Sequence, residues 1–317
     1  MISVNREAMR LVRLMLQEHM RFQVKAERTQ IGATLIDAGI EAHGGYAAGL
    51  IITEICMGGL GRAELTSMSI GDRILPAISV YTDQPAVSTL ASQLAGWKIR
   101  MDGYEAIASG PARALALKPK SIYKSLNYHD ESEEAIIILE ATDPPPDTVI
   151  EYIADKCGVH PENLYVIIVP TATIPGYVQV SGRTAETGIH KLMTLGLDPR
   201  LIVNAWSIAP ILPVHPDPVE SIGRTNDAIL YGGAAYYNVE CGDEFLLEEI
   251  TSRAVSSSSR VYGRRFSDIY REAQMDFYRI DPELFAPAQV TINDLKTGRT
   301  FTAGKINYKI LLDALDS

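Results

Sequence analysis

Cysteine is scarce in this chain. Only Cys56, Cys157 and Cys241 occur, far apart and with no CxxC pair, so no disulfide framework or thiolate metal knuckle is written into the sequence, and a reducing compartment suits it. Long apolar runs are missing as well, since no stretch reaches the ~18 apolar residues that mark a membrane span. Residues 1–28 interleave Arg6, Glu7, Arg10, Arg13, Glu18 and Arg21 with Leu11, Leu14, Met15 and Met20. That reads as an amphipathic helix rather than the unbroken apolar centre of a secretory signal, and the expected location is the cytoplasm. Positive charge is also short: 29 Lys plus Arg against 39 Asp plus Glu leave a net charge of −10. A general nucleic-acid surface is therefore not expected, and any anionic ligand must be met by local donors.

Several chemical signatures are absent too. His19, His43, His129, His160, His190 and His215 contain no HExxH and no paired ligand spacing, which argues against a catalytic zinc. His129-Asp130-Glu131 reads better as a solvated turn than as a metal site. There is no GxSxG elbow. Gly58-Gly59-Leu60-Gly61 matches neither GxGxxG nor a P-loop and reads as a turn. His215-Pro216-Asp217-Pro218 reads as a rigid loop, and Ser256–Arg260 as a polar loop or edge.

What is present is a chain of 317 residues with 46% hydrophobic content, enough to bury a large core. Strands are expected over 25–31, 47–56, 65–70, 74–81, 135–140 and 164–169, and helices over 84–95 and 147–156, with another starting in Ser109–Arg113. A helix is also expected over 266–278, then a hairpin around Lys296-Thr297-Gly298 and a terminal helix. The fold class is α/β (α+β): two layered domains with mixed sheets covered by helices. The first is expected over 1–100 with 285–317, strand-rich, and the second over 101–284.

The segment Gly176–Lys191 reads as one amphipathic helix. Val178, Ala185, Ile189 and Leu192 fall on one side, and Gln179, Arg183, Glu186 and His190 make a polar stripe bordering it. Arg183 and Glu186, three apart, can touch. They are the candidate catalytic pair, with Gln179 and Ser181 as accompanying substrate-binding candidates, although spacing alone favours an ordinary surface ion pair. Ser109-Gly110-Pro111-Ala112-Arg113 supports two readings equally: an anion site at a helix opening, or a Ser109 cap before a proline-opened helix.

The pattern around Arg183 and Glu186 resembles the methenyltetrahydromethanopterin cyclohydrolases of archaeal one-carbon metabolism and methanogenesis. The resemblance extends through Glu41–Gly61, Gly96-Trp97-Lys98, Ser109–Arg113, Tyr231-Gly232-Gly233 and the closing hairpin, and covers essentially the whole chain. It implies a homo-oligomer, by resemblance a trimer, with a site in a cleft between two α/β domains, and no metal or separate cofactor. The implied activity is reversible hydrolysis of the methenyl bridge of a reduced pterin coenzyme, the substrate, to the N5-formyl derivative. Glu186 is then the general base and acid, Arg183 its electrostatic partner, and Ser109 and Arg113 candidates for the coenzyme's phosphate-bearing tail. Two other functions fit the same residues: formyl transfer by a related pterin or folate enzyme, and a non-catalytic pterin-binding protein.

Overall fold

The computed structural model describes residues 2–316. Its strands, in chain order, are β1 (Lys25–Arg28), β2 (Thr34–Asp37), β3 (Gly61–Ile70), β4 (Arg73–Thr82), β5 (Trp97–Met101), β6 (Tyr104–Ser109), β7 (Ala135–Glu140), β8 (Leu164–Ile168), β9 (Ile202–Pro210), β10 (Ala234–Val239), β11 (Gln289–Asp294) and β12 (Thr300–Gly304). The helices are α1 (Val4–Gln17), α2 (His19–Phe22), α3 (Tyr46–Cys56), α4 (Ala112–Ala116), α5 (Lys120–Leu126), α6 (Asp147–Cys157), α7 (Ile174–Ser181), α8 (Thr184–Thr194), α9 (Pro218–Gly232), α10 (Glu244–Arg253), α11 (Phe266–Glu272) and α12 (Tyr308–Leu315), with a π-helical segment at Ala86–Gln93.

Two compact units result: Met1–Arg62 with Ala86–Gly176, and Ala63–Pro85 with Tyr177–Ser317. This division differs from the expected 1–100 with 285–317 against 101–284. The reason is sheet membership: β5–β8 complete the sheet begun by β1 and β2, while the closing hairpin β11–β12 joins the sheet of β3, β4, β9 and β10.

The first unit's sheet has the order β1-β2-β8-β7-β6-β5, with β2, β8 and β7 parallel and the remaining pairs antiparallel. Its centre is apolar on both faces, as an uninterrupted run such as Ile136-Ile137-Ile138-Leu139 requires. Ala135, Ile137 and Leu139 pack with Val149, Ile150 and Ile153 of α6. Ile136 and Ile138 point the other way, onto Met9 and Val12 of α1 and Ile51, Ile52 and Ile55 of α3. Each fully buried Ile, Leu, Val or Met side chain among these stabilises the fold by roughly 2 kcal/mol relative to exposure.

The second unit's sheet runs β12-β11-β10-β9-β4-β3. It alternates instead: Ala235, Tyr237, Val239, Val290 and Ile292 are buried on the face that meets α8, α9 and α10. On the opposite face the register aligns Tyr81, Trp206, Tyr236, Thr291 and Thr302 in one row across five strands. A second row is a polar ladder. Asn204 donates to Asp83 (2.7 Å), Asn293 to Asn238 (3.1 Å) and Thr300 to Asn293 (3.2 Å).

Three expectations need correction, and one segment gains an assignment. Residues 47–56, expected as a strand, form α3; its buried positions Ala48, Ile51, Ile52 and Ile55 have helical spacing, and ten residues without a turn signal exceed an ordinary buried strand. Segment 218–232, left unassigned, is α9, opened by Asp217 accepting from the Glu220 N–H (2.9 Å) with Pro218 in the first turn. The helix expected over 266–278 stops at Glu272. Ser256 and Ser259 are buried, Ser259 donating to Asp281 at 2.8 Å, so this segment is a packed turn. Gly58 and Gly59, both at positive φ, do form the expected turn.

Candidate active site

The segment carrying Arg183 and Glu186 is two helices, not one. Gly182 N–H still reaches the Val178 carbonyl (2.9 Å), but Arg183 N–H bonds to Val180, only three residues back (2.9 Å), and Arg183 leaves helical geometry at φ −89°, ψ 2°. Side chains complete the break. The Thr184 hydroxyl donates to the Ser181 carbonyl (2.9 Å), and the Ser181 hydroxyl donates to Pro210 of β9 (3.1 Å). Glycine at 182, which weakens any helix interior, marks the place.

The break changes the chemistry of both candidates. Arg183 becomes the N-cap residue of α8, and Glu186 sits in its first turn. There a carboxylate meets the positive end of the helix dipole. Glu186 is only 5% exposed, in a medium less polar than water, where electrostatic effects are stronger.

Arg183 is fixed from the preceding turn. Its Nε and Nη2 both donate to Gln179 Oε1, at 3.2 and 3.0 Å. Two donors on one acceptor set the plane of the guanidinium. Gln179, expected as a substrate contact, is buried, with 2% exposure, and holds the arginine. Ser181, expected in the same role, is buried and engaged with Pro210.

The buried side of α8 is tied down at two further points. Tyr237, fully buried on β10, donates its hydroxyl to the Ala185 carbonyl at 3.0 Å. Burial pushes its phenol far above the usual pKa, and the nearby Glu186 charge pushes in the same direction. One turn further on, the Lys191 ammonium, itself buried, meets Glu283 at 2.6 Å. His190 is half-buried beside it.

Ser109 and Arg113 lie in the first unit and have framework surroundings. Arg113 is fully buried; Nη1 donates to the main-chain carbonyls of Ser92 (3.0 Å) and Leu90 (3.3 Å), and the guanidinium lies over the Tyr123 ring. It joins α4 to the π-helical segment. Ser109 Oγ lies 3.3 Å from Cys56 Sγ, also buried. Gly110 takes φ +95°, and a Cβ there would meet Ile138 at 2.4 Å. Asp130, weighed as part of a metal turn, accepts instead from the Asn5 backbone and side chain at 3.0 and 2.7 Å. Among the described residues no group of three or more His, Cys, Asp or Glu side chains is arranged to hold a metal ion.

Tyr237 and Lys191 were not singled out from the sequence. The adjacent Tyr236-Tyr237 shows that one ring faces each side of the sheet, but not what the inner ring touches. The available signal was Gly188, a glycine inside a helical pattern, which points to close approach by another group.

Comparison with known proteins places this chain among the cyclohydrolases, a class of hydrolase. It belongs to the family whose model is described as Cyclohydrolase (MCH), which matches residues 3–315. It is 40% identical over 314 residues to the methenyltetrahydromethanopterin cyclohydrolase of Methanococcoides burtonii, covering 99% of this chain and 98% of that one. The proteins of the same name from Methanothermobacter thermautotrophicus and Methanocella arvoryzae are 41% and 42% identical over 315 residues, covering 98% of each relative.

Proposed function

We propose that this protein hydrolyses the methenyl bridge of N5,N10-methenyltetrahydromethanopterin to the N5-formyl derivative, with Glu186 moving the proton and Arg183 assisting. The supporting observation is Glu186 itself, buried in the first turn of α8 beside an arginine whose orientation is set by Gln179, in a chain that aligns end to end with cyclohydrolases.

The bridge carbon belongs to an amidinium-like cation and is already electrophilic, so the protein's task is to place and deprotonate one water. Glu186 takes a water proton as the oxygen bonds to the bridge carbon, giving a neutral tetrahedral adduct. The protonated Glu186 then delivers that proton to N10 as the carbon–N10 bond breaks. As the carbonyl forms, the hydroxyl proton leaves, and this is the one proton the overall reaction releases. Hydrolysis is therefore favoured as pH rises. The ionised Glu186 also offsets the charge of the bound cation, while Arg183 donates to the incoming oxygen as it gains negative character.

The reading extends to assembly: a homo-oligomer, trimeric in number, working in the cytoplasm. Its support is the row of Tyr81, Trp206 and Tyr236, each more than a third exposed, since contiguous exposed aromatics on a sheet face favour a protein partner. Analytical ultracentrifugation tests it, and a monomer at micromolar concentration contradicts it. The activity is tested by adding the protein to methenyl-tetrahydromethanopterin in buffer alone. Decay of the methenyl absorbance supports the reading; decay only after a formyl acceptor is supplied replaces it with formyl transfer.

A further inference from the structure

α8 approaches β10 so closely that one residue must be glycine. A Cβ on Gly188 would lie 2.0 Å from the Tyr237 hydroxyl oxygen, 3.0 Å from Tyr237 Cζ and 3.2 Å from Pro287 Cγ. The space a side chain would fill is taken by the phenol. From that notch the hydroxyl reaches the Ala185 carbonyl at 3.0 Å, the oxygen of the peptide that leads into Glu186. The backbone that carries Tyr237 is fixed on both sides, because its strand lies between β9 and β11, paired to Ala205 and Ile292.

We propose that Tyr237, admitted by Gly188, is a positioning residue that clamps the Ala185–Glu186 peptide and so fixes where the Glu186 carboxylate points. The inference rests on the reading of Glu186 as the proton-handling group. The clamp acts from behind: the phenol bonds to main chain, not to the reacting atoms. Its hydroxyl stays protonated throughout the working pH range because burial holds its pKa far above the ordinary value, so the donor is permanent. Around the same turn, the Arg183 carbonyl accepts from the Thr187 N–H (2.8 Å) and hydroxyl (3.0 Å), and Tyr237 adds a side-chain donor to the peptide before Glu186. A carboxylate that must first accept from water and then donate to nitrogen tolerates little angular drift, and misplacement by about 1 Å costs roughly a hundredfold in rate.

The test is a set of five purified variants, each checked by circular dichroism and thermal unfolding and assayed with methenyl-tetrahydromethanopterin. Tyr237→Phe keeps the ring and removes only the hydroxyl; kcat is expected to fall about tenfold or more with KM little changed, and the acidic limb of the kcat–pH profile is expected to move. Gly188→Ala pushes the phenol off the helix and is expected to lower kcat further. In the double variant the ring no longer carries the colliding oxygen, so the two losses combine to less than their product. Adding Tyr237→Phe to Glu186→Gln is expected to change the residual rate by less than twofold, since nothing remains to position. An inactive Glu186→Gln beside a Tyr237→Phe with wild-type kcat and pH profile overturns the clamp and leaves the Glu186 reading intact. A Glu186→Gln with wild-type turnover overturns both. Losses that multiply fully in the double variant overturn the shared contact.

Discussion

Two arginines attract notice in this sequence, and they are put to opposite uses. Arg113 is fully buried, and its guanidinium donates to the carbonyls of Leu90 and Ser92 and covers the Tyr123 ring. Arg183 stands half-buried at a helix break, its fork turned by the side chain of Gln179, three residues before a buried glutamate. An arginine whose donors serve main-chain carbonyls is a bracket holding segments together. One aligned by another side chain, three residues before a carboxylate in a helix's first turn, is held in a set orientation rather than tying segments together. Burial alone does not separate these cases; what the donors bond to does.

Apart from Glu186 itself, the largest effect that sharpens this contrast is on stability. Arg113→Met removes a buried donor from the Leu90 carbonyl and one of two from the Ser92 carbonyl, which also accepts from the Gly110 N–H, and is expected to lower folding stability by about 3 kcal/mol, with kcat per folded molecule close to wild type. Denaturant unfolding beside the absorbance assay measures both. Lost coenzyme affinity at unchanged stability would reverse the roles of the two arginines. Next in size, Arg183→Lys keeps the charge and loses the fork; turnover is expected to fall about ten- to a hundredfold while the unfolding free energy moves by less than about 1 kcal/mol. Full activity in that variant would mean that only the charge matters.

An effect of a different kind, read only as a dependence on pH, concerns the buried Asp227, in which neither chemistry nor an ion pair is involved. Asp227 on α9 accepts from the Phe266 N–H at 2.9 Å, while its other oxygen finds no donor among the described residues. Burial raises its pKa from 3.8 to about 8. Because the folded-state value lies above the unfolded one, its contribution favours the fold below about pH 4 and is lost as pH rises towards 8. Asp227→Asn keeps the acceptor for Phe266 and removes the titration. The stability difference between variant and wild type is therefore expected to shift in the variant's favour across that window, as followed by thermal unfolding. A pH-independent difference would show that Asp227 is not the titrating group.

Much of the architecture was legible in the amino-acid pattern, where period and length agreed. The run Ala135–Glu140 announced a strand buried on both faces, and Lys296-Thr297-Gly298 announced the hairpin that β11 and β12 form. Segment 47–56 misled because its apolar content is high on all sides, so the helical spacing of Ala48, Ile51, Ile52 and Ile55 was hidden among other apolar residues. The grouping of strands into units was not legible, since sheet membership depends on contacts between segments more than a hundred residues apart, such as β4 with β9. At the candidate site, the sequence supplied Arg183 and Glu186 and put them on one continuous helix. It did not show the break at Gly182, which comes from the Ser181–Thr184 and Ser181–Pro210 bonds. Nor did it show that Gln179 orients the arginine or that Gly188 makes room for Tyr237, because both depend on which side chain stands opposite.

The central claim is that Glu186 carries the proton, and Glu186→Gln tests it most directly. The substitution keeps size and hydrogen-bonding capacity and removes the base. Measured side by side with wild type, decay of the methenyl absorbance is expected to slow by about a thousandfold, with the thermal unfolding midpoint and coenzyme binding nearly unchanged. Turnover within a few-fold of wild type in a folded, coenzyme-binding Glu186→Gln protein would contradict the account.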